Sequence, residues 1–376
     1  MPVKILASKA SEKVWAEINQ EALSHNIKTI RSIIGPKVSL LGVVKADAYG
    51  LGLLEISKIL LKCSVNALGV TNVEEGILIR KTFSEVPIVI LGPSFSDYLE
   101  DALEWNLIPV VSSLELLKKL NEIAFLMGKK ARVHLMIDTG MGRMGLWYEK
   151  GEDFFQELLR LESVVIEGVA SHFASSDGPH LEFSKLQLSR FQDFLFRLKM
   201  MGFKVSFEHM ANSSALLRLP DSFFNMVRIG ILLYGAYPSP FLPRGDFQPV
   251  LSWKTKIAFI KEVEPGRPIS YGSSFVTSRK TKVGTLPIGY SHGYDRALSN
   301  RGEVLVGGKR CPVVGRVTMD QIMIDLGPES IARVDEEVVL LGTQGEQEMT
   351  LEELAEKADT IPYELMCRMK VKKIYV

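Results

Sequence analysis

A regular alternation of short apolar runs and amphipathic segments between residues 39 and 229 is the feature that most constrains the fold. The intervening segments carry apolar residues at helical spacing, as in Glu74–Lys81, Leu114–Met127, Asp153–Leu161 and Glu182–Met201. Eight strand-like runs recur at Ser39–Val44, Ala67–Val70, Ile88–Leu91, Ile108–Val111, Val133–Ile137, Val164–Ala170, Val205–His209 and Met226–Ile229. Eight such units predict a parallel (β/α)8 barrel of the TIM type rather than a doubly wound sheet.

The pattern changes after Gly235, where a proline-rich stretch precedes a region dominated by strands. One clear helix is expected there, Leu351–Ala358, because Thr350 and Glu353 form a capping-box pattern at its start. Strands are expected at Trp253–Val263, Val283–Ile288, Glu303–Val306, Pro312–Val317, Ile322–Leu326 and Glu337–Leu341. We therefore predict a barrel domain over residues 12–240 and a β-rich domain over 241–376, with residues 1–11 packed on the latter.

Charge and composition favour a small-molecule site. The 45 basic and 44 acidic side chains nearly cancel, which argues against nucleic acid or an anionic membrane as a partner. The sequence shows no signal-peptide pattern and no run of 18 apolar residues, so we expect a cytoplasmic protein. The three cysteines form no C-x-x-C pair and the six histidines form no H-E-x-x-H pattern, so no metal is expected.

Unusual polar residues follow five of the predicted strands. Catalytic groups in such barrels lie at the carboxyl ends of the strands. Each residue also has a structural interpretation: a surface cation for Arg143, a core histidine for His172, and a helix cap for Asn212 and Ser213. Their shared position at one rim favours a functional site. The residues are Lys45, the segment 138–143, Ser171 with His172, the segment 212–214, and the segment 228–231.

Two features of this rim predict the cofactor. Ser213 and the amides of Gly230 and Ile231 are donors where this fold commonly holds a phosphate group. Lys45 ends an apolar strand, where a lysine is costly unless it has a function, although it could also extend into solvent beside an ordinary glycine turn. A phosphate together with such a lysine predicts pyridoxal phosphate held by a Schiff-base lysine.

Seven ordered motifs extend these observations over most of the chain. Together they resemble the alanine racemases, pyridoxal-phosphate enzymes of fold type III. The resemblance implies a barrel, a β domain, and a head-to-tail homodimer in which the partner's β domain completes each barrel mouth. The motifs are VVKADAYG at 43–50, DTGMGRMG at 138–145, SHFA at 171–174, RIGI at 228–231 with YG at 234–235, SYG at 270–272, GY at 289–290 and GRVTMDQ at 315–321.

The resemblance also implies roles for individual residues. Lys45 would carry the cofactor and act as one base, and Tyr271 of the partner would act as the other, because racemisation moves a proton between two faces. His172, linked to Arg228, would assist Tyr271. Arg228 would face the pyridine nitrogen and leave it unprotonated, whereas a decarboxylase of this fold would place a glutamate there.

The remaining implied roles concern binding and access. The cofactor would also contact Tyr49, His172, Asn212, Ser213, Arg228, Gly230, Ile231 and Tyr363. Arg143 and Met319 would hold the substrate carboxylate. The entrance would be lined by Asp177, Tyr290, Arg296 and Arg316.

Three departures from the family pattern stand out. Leu51 replaces a usual histidine, and Met136 replaces a lysine that is often carbamylated and supports the carboxylate-binding arginine. The tail, residues 370–376, lacks the common ending, which we interpret as functionally silent.

The implied activity is interconversion of L- and D-alanine for peptidoglycan synthesis. The alternatives are a broader racemase for serine or another small amino acid, a non-catalytic pyridoxal-phosphate carrier, and a class I aldolase. A carrier would have no use for Tyr271, and an aldolase would not need Arg228.

Overall fold

The computed structural model describes residues 13–376, and their contacts form two compact units. The barrel unit comprises Gln20–Gln248, and the β unit comprises Pro249–Val376 with residues 13–19. The strand Val14–Ile18 belongs to the β unit because it pairs with two strands of that unit. The bounds expected from sequence, 12–240 and 241–376, place that strand with the barrel instead, and the expectation for residues 1–11 lies outside the described residues.

The barrel unit contains a closed parallel sheet. Its edges meet because β2 pairs with β10 and β5 pairs with β6, so all eight main strands have two neighbours. This closure confirms the predicted barrel. After β1 (Val14–Ile18) the strands are β2 Ser39–Val43, β3 Ala67–Val70, β4 Ile88–Ile90, β5 Ile108–Val111, β6 Ala131–Asp138, the short β7 Leu146–Trp147 beside β6, β8 Val164–Ala170, β9 Phe207–His209 and β10 Met226–Ile229.

Helices alternate with these strands and cover the outer face of the sheet, which explains why β3, β4 and β5 are continuously apolar and buried. Asn72, Ser113 and Asn212 each begin a helix by accepting a backbone hydrogen bond. Within residues 13–376, no helix has the length and apolar character needed to cross a membrane. The helices are α1 Gln20–Ile34, α2 Leu53–Lys62, α3 Val73–Thr82, α4 Leu99–Glu104, α5 Leu114–Leu126, α6 Glu152–Leu159, α7 Glu182–Met200 and α8 Ser213–Arg218.

The β unit is strand-rich, as predicted. Its largest sheet has the order β17-β16-β19-β11-β1-β21, with β20 beside β19. The strands are β11 Leu251–Lys256, β12 Phe259–Val263, β13 Pro268–Ile269, β14 Phe275–Val276, β15 Thr281–Leu286, β16 Glu303–Val306, β17 Lys309–Pro312, β18 Ile322–Asp325, β19 Glu337–Gln344, β20 Gln347–Met349 and β21 Lys372–Tyr375.

Several local expectations for the β unit differ from the structure. The single strand expected at 253–263 is two strands, and the run at 312–317 continues past the end of β17, where Val313 forms an isolated bridge to Ile324 of β18. The helix at Thr350 is confirmed as α9 (Leu351–Lys357), but a second helix, α10 (Pro362–Arg368), follows it. The tail forms β21, which pairs with β1.

Candidate functional site

A left-handed turn follows β2 and carries Lys45. The four residues Ala46–Tyr49 have φ between 53 and 58°, a conformation that costs an L-residue about 1–2 kcal/mol. Glu75 braces the turn: its carboxylate accepts hydrogen bonds from the amides of Asp47 at 3.1 Å and Thr71 at 3.0 Å. Lys45 is exposed at the end of β2, as expected. Four consecutive strained residues, held by an external carboxylate, indicate a functional constraint on this turn.

The buried side chain of Tyr49 lies directly against the backbone of Gly230. A Cβ added to Gly230 would meet the Tyr49 oxygen at 2.1 Å, so only glycine fits there. Ser213 Oγ accepts hydrogen bonds from the amides of Gly230 at 3.2 Å and Leu232 at 3.5 Å. Two hydroxyls and several amides thus meet after β9 and β10. This set of neutral donors fits a phosphate group.

Asn212 lies beside this group but has a structural function. Its side chain accepts hydrogen bonds from the amide of Ala215 at 2.9 Å and from Ser176 Oγ at 3.1 Å. Asn212 is therefore the N-cap of α8 and sets the position of Ser213.

Arg228 is a buried cation whose hydrogen bonds run to neutral acceptors. Its Nη1 donates to Nδ1 and the carbonyl oxygen of His209 at 2.8 and 2.9 Å. Its Nη2 donates to Nδ1 of His172 at 3.1 Å and to the carbonyl oxygens of Ser171 and Met210 at 2.7 and 3.3 Å. Burial and the charge of Arg143 lower the pKa of Arg228 to about 10, so Arg228 is a fixed, charged donor at neutral pH.

His172 is a neutral imidazole at the same rim. Burial, followed by the charges of Arg228, Arg143 and Lys45, holds its pKa well below the usual value. Because a guanidinium can only donate, Nδ1 of His172 must accept, and the ring proton lies on Nε2. Arg228, Arg143 and Lys45 are therefore near enough to His172 to lower its pKa, and all four residues lie at or after the carboxyl ends of barrel strands.

The glycine-rich loop after β6 is held by its own aspartate. The Asp138 carboxylate accepts hydrogen bonds from the amides of Gly140 at 2.8 Å and Gly142 at 2.9 Å. Arg143 is exposed on this loop. Met136 is buried beneath it, with Cγ 3.1 Å from where a Gly145 Cβ would stand. An apolar thioether therefore occupies the position where the family resemblance implies a lysine that is often carbamylated.

In the β unit, Tyr271 begins a short 3₁₀ turn and is 73% exposed. The preceding Ser270 donates from Oγ to the Arg316 carbonyl oxygen at 2.8 Å. A Cβ on Gly272 would lie 3.2 Å from the Arg316 guanidinium carbon. The backbone of the 3₁₀ turn therefore packs against the Arg316 guanidinium, and the Tyr271 phenol points outward.

Other predicted residues of the β unit lie on neighbouring turns. Tyr290 and Met319 are half-exposed, and the amide of Ser291 donates to the Met319 carbonyl oxygen at 3.0 Å. Arg296 is joined to the same segment through Ser299, whose Oγ accepts from the Val317 amide at 3.0 Å. Tyr363 lies on α10, and Asp177 lies on an exposed loop of the barrel unit.

Sequence reasoning missed the residues behind the rim: Glu75, His134, His209 and Glu167. Glu75 lies in the first turn of α3 and has no motif of its own. His134 lies between Val133 and Leu135 in β6, and a polar residue in such an apolar run is a signal that could have identified it. His209 follows Glu208 at the end of β9 and has no such signal.

A closed barrel with a rim lysine, a neutral phosphate-sized donor set and a buried arginine defines the class of pyridoxal-phosphate-dependent isomerases. The model of the alanine racemase N-terminal domain matches residues 18–238, and that of the C-terminal domain matches residues 250–375. The chain belongs to the alanine racemase family.

Full-length relatives support this assignment. The chain is 41% identical to the alanine racemase of Halothermothrix orenii over 360 residues, which cover 96% of this chain and 95% of that protein. The structure of alanine racemase from Clostridium difficile 630 is 38% identical with a TM-score of 0.92, covering 98% of this chain and 97% of that one. The Bartonella henselae alanine racemase, with covalently bound pyridoxal phosphate, is 26% identical with a TM-score of 0.89, covering 97% and 100%.

Proposed function

We propose that this alanine racemase interconverts L- and D-alanine with Lys45 and Tyr271 as its two bases. The observation that carries the proposal is Arg228, a buried guanidinium that remains charged at neutral pH. A permanent donor opposite a pyridine nitrogen leaves that nitrogen unprotonated, which disfavours side reactions such as transamination. The family assignment favours this activity over the carrier and the aldolase considered above.

Pyridoxal phosphate, when bound, supplies an electron sink that acidifies the α-hydrogen of an amino acid. Lys45 would hold the cofactor covalently. Tyr49, Ser213 and the amides of Gly230 and Ile231 would bind its phosphate, and Asn212 would act by positioning Ser213. Tyr363 is proposed as a further phosphate ligand and Arg228 as the partner of the ring nitrogen.

Two proton-transfer groups on opposite faces are the minimum for racemisation. Lys45 Nζ would move the proton on one face of the α-carbon and Tyr271 Oη on the other. An ordinary tyrosine, with a pKa near 10, is a poor base at neutral pH. Because Nε2 of His172 carries its proton, His172 can donate a hydrogen bond to the phenolate of Tyr271 and stabilise it.

Substrate binding would involve Arg143 and the amide of Met319. The Arg143 guanidinium offers two parallel donors to a carboxylate. Entry would be controlled by Asp177, Tyr290, Arg296 and Arg316. Bulky phenols at such an entrance favour alanine over larger amino acids.

We further propose a homodimer in which Tyr271 comes from a second copy of the chain. The 73% exposure of this phenol, on a turn packed against Arg316, suits a residue that functions in a partner's site. The proposed setting is the cytoplasm, where D-alanine would be supplied for peptidoglycan.

Exchange of the α-hydrogen of alanine in heavy water tests the two bases separately. We expect Lys45→Ala to abolish exchange from both enantiomers. Tyr271→Phe should keep the visible absorbance of bound cofactor but lose exchange mainly from one enantiomer. Equal exchange from both enantiomers in Tyr271→Phe, at the parent rate, would contradict the two-base assignment.

A further inference from the structure

A line of buried polar side chains extends from Arg228 into the barrel, away from the residues of the proposed reaction. Nε2 of His209 lies 2.8 Å from Nδ1 of His134. Nε2 of His134 lies 3.9 Å from Oε2 of Glu167, and neither of these two atoms has a hydrogen-bond partner among residues 13–376. The line crosses the adjacent strands β10, β9, β8 and β6.

Donor chemistry fixes the protons along this line. A guanidinium has no acceptor, so Nδ1 of His209 must accept from Arg228. The ring proton of neutral His209 then lies on Nε2 and is donated to Nδ1 of His134. His134, neutral in turn, carries its proton on Nε2, which faces the Glu167 carboxylate.

Both rings are held neutral by their surroundings. Burial, then the charges of Arg228 and Arg132, lowers the pKa of His134 to about 3. Burial, then Arg228, lowers the pKa of His209 well below its usual value. The charged groups near His134 are therefore Arg228, Arg132 and Glu167, whose other oxygen accepts from Arg132 Nη1 at 3.2 Å.

The backbone leaves room for the His134 ring. His134 pairs with Gly168 in the β6–β8 register, just after a register shift between Val133 and His134. A Cβ on Gly168 would meet three ring atoms of His134 at 2.7–2.8 Å. Among residues 13–376, no group of three or more His, Cys, Asp or Glu side chains is arranged to hold a metal ion.

We propose that His209, His134 and Glu167 form a relay that positions Arg228 by locking both histidines in the Nε2–H tautomer. His209 then presents only an acceptor to Nη1 of Arg228, which fixes the guanidinium plane. Glu167 is the terminal carboxylate that orients the Nε2–H dipole of His134. These three are positioning residues, and the inference rests on the proposed role of Arg228 at the cofactor ring.

The test combines nitrogen NMR of the ¹⁵N-histidine-labelled holoenzyme with the dissociation constant for pyridoxal phosphate. With only six histidines, single variants assign the spectrum. We expect His209 and His134 to show pyridine-type Nδ1 and protonated Nε2. Glu167→Gln should shift the Nε2 resonance of His134 and leave its tautomer unchanged.

Two matched pairs separate the relay from simple packing. His134→Leu removes the acceptor for His209, whereas in His134→Asn the amide oxygen takes the place of Nδ1. Gly168→Ala displaces the His134 ring, whereas Gly151→Ala adds a methyl where no atom lies within 4 Å. We expect His134→Leu and Gly168→Ala to shift the Nε2 resonance of His209, because its proton loses its acceptor, and to weaken cofactor binding about tenfold, as for one lost buried hydrogen bond. His134→Asn and Gly151→Ala should keep both properties.

A protonated Nδ1 on wild-type His209 would overturn the proposal. So would an unchanged His209 spectrum and cofactor affinity in His134→Leu. Failure of the protein to bind pyridoxal phosphate, with the stated tautomers present, would instead count against the proposed function and leave the relay supported.

Discussion

The Tyr49 hydroxyl oxygen lies only 2.1 Å from the position that a Cβ on Gly230 would occupy. Gly230→Ala therefore forces Tyr49 or the β10 end to move, and we expect a cofactor dissociation constant raised at least about tenfold. Absorbance titration with pyridoxal phosphate measures it. Gly178→Ala is the control, because its nearest contact, 3.4 Å, is ordinary van der Waals packing. Equal affinities for both variants would contradict a close-fitting phosphate cradle.

Removal of the Glu75 carboxylate should make the left-handed turn that follows Lys45 more mobile. Glu75→Ala loses the acceptor for the amides of Asp47 and Thr71, and we expect a free energy of unfolding lower by about 1–2 kcal/mol. Urea denaturation measures this loss, and kcat should fall with it. The matched control is Glu74→Ala, since Glu74 is also acidic, lies in the same first turn of α3 and is exposed. If both variants behaved alike, Glu75 would act only on the helix dipole.

Acid should destabilise the protein through its buried neutral histidines. An unfolded histidine gains a proton below about pH 6.5, whereas folded His134 stays neutral down to about 3. The unfolded state then binds more protons, so stability falls as pH falls, by about 1.4 kcal/mol per pH unit for each such histidine. His172 and His209 act in the same direction.

Urea denaturation between pH 7 and pH 5 measures this dependence. In His134→Asn the slope of unfolding free energy against pH should be shallower by about 1.4 kcal/mol per pH unit. A slope identical to that of the parent would mean that His134 is protonated in the folded state.

Mixing two inactive variants tests whether Tyr271 acts in a second copy. A dimer of one Lys45→Ala chain and one Tyr271→Phe chain contains one intact site if the phenol comes from the partner. Random pairing should then restore about one quarter of the parent activity, because half of the dimers are mixed and each has one intact site of two. Activity that stays absent after subunit exchange, verified by mass spectrometry, would place Tyr271 in its own chain's site.

The barrel was predictable because several of its strands are buried on both faces and therefore read as apolar runs; β3, β5, β8 and β10 have the expected bounds, although Glu167 and Arg228 interrupt the last two. The pairing of β1 with strands of the β unit could not be predicted, because the sequence of Val14–Ile18 does not indicate which strand it pairs with. In the same way α10 and β21 depend on packing with distant segments.

Site residues that belong to a sequence motif could be predicted, whereas contacts that arise only when distant segments fold together could not. Arg228 and His172 stand at strand ends, where barrel topology gathers them. Strand periodicity cannot show that His134 would meet His209, since their contact spans 75 positions and depends on a register shift before His134. The left-handed conformation of Ala46–Tyr49 could not be predicted either, since in this segment only Gly50 and Gly52 are residues that favour positive φ.

That backbone has a consequence for how this enzyme can diversify. Four successive positions in this conformation exclude Val, Ile and Thr and admit mainly Gly, Asn, Asp and residues without a branched β-carbon, such as the Ala and Tyr present here. If residues 46–49 are randomised and the library is sorted for folded protein, the surviving variants should carry only this restricted set of residues. The same experiment on residues 53–56, in α2, should not give this restriction. New substrate specificities would then have to arise from changes in other loops, while residues 46–49, which follow Lys45, would change little.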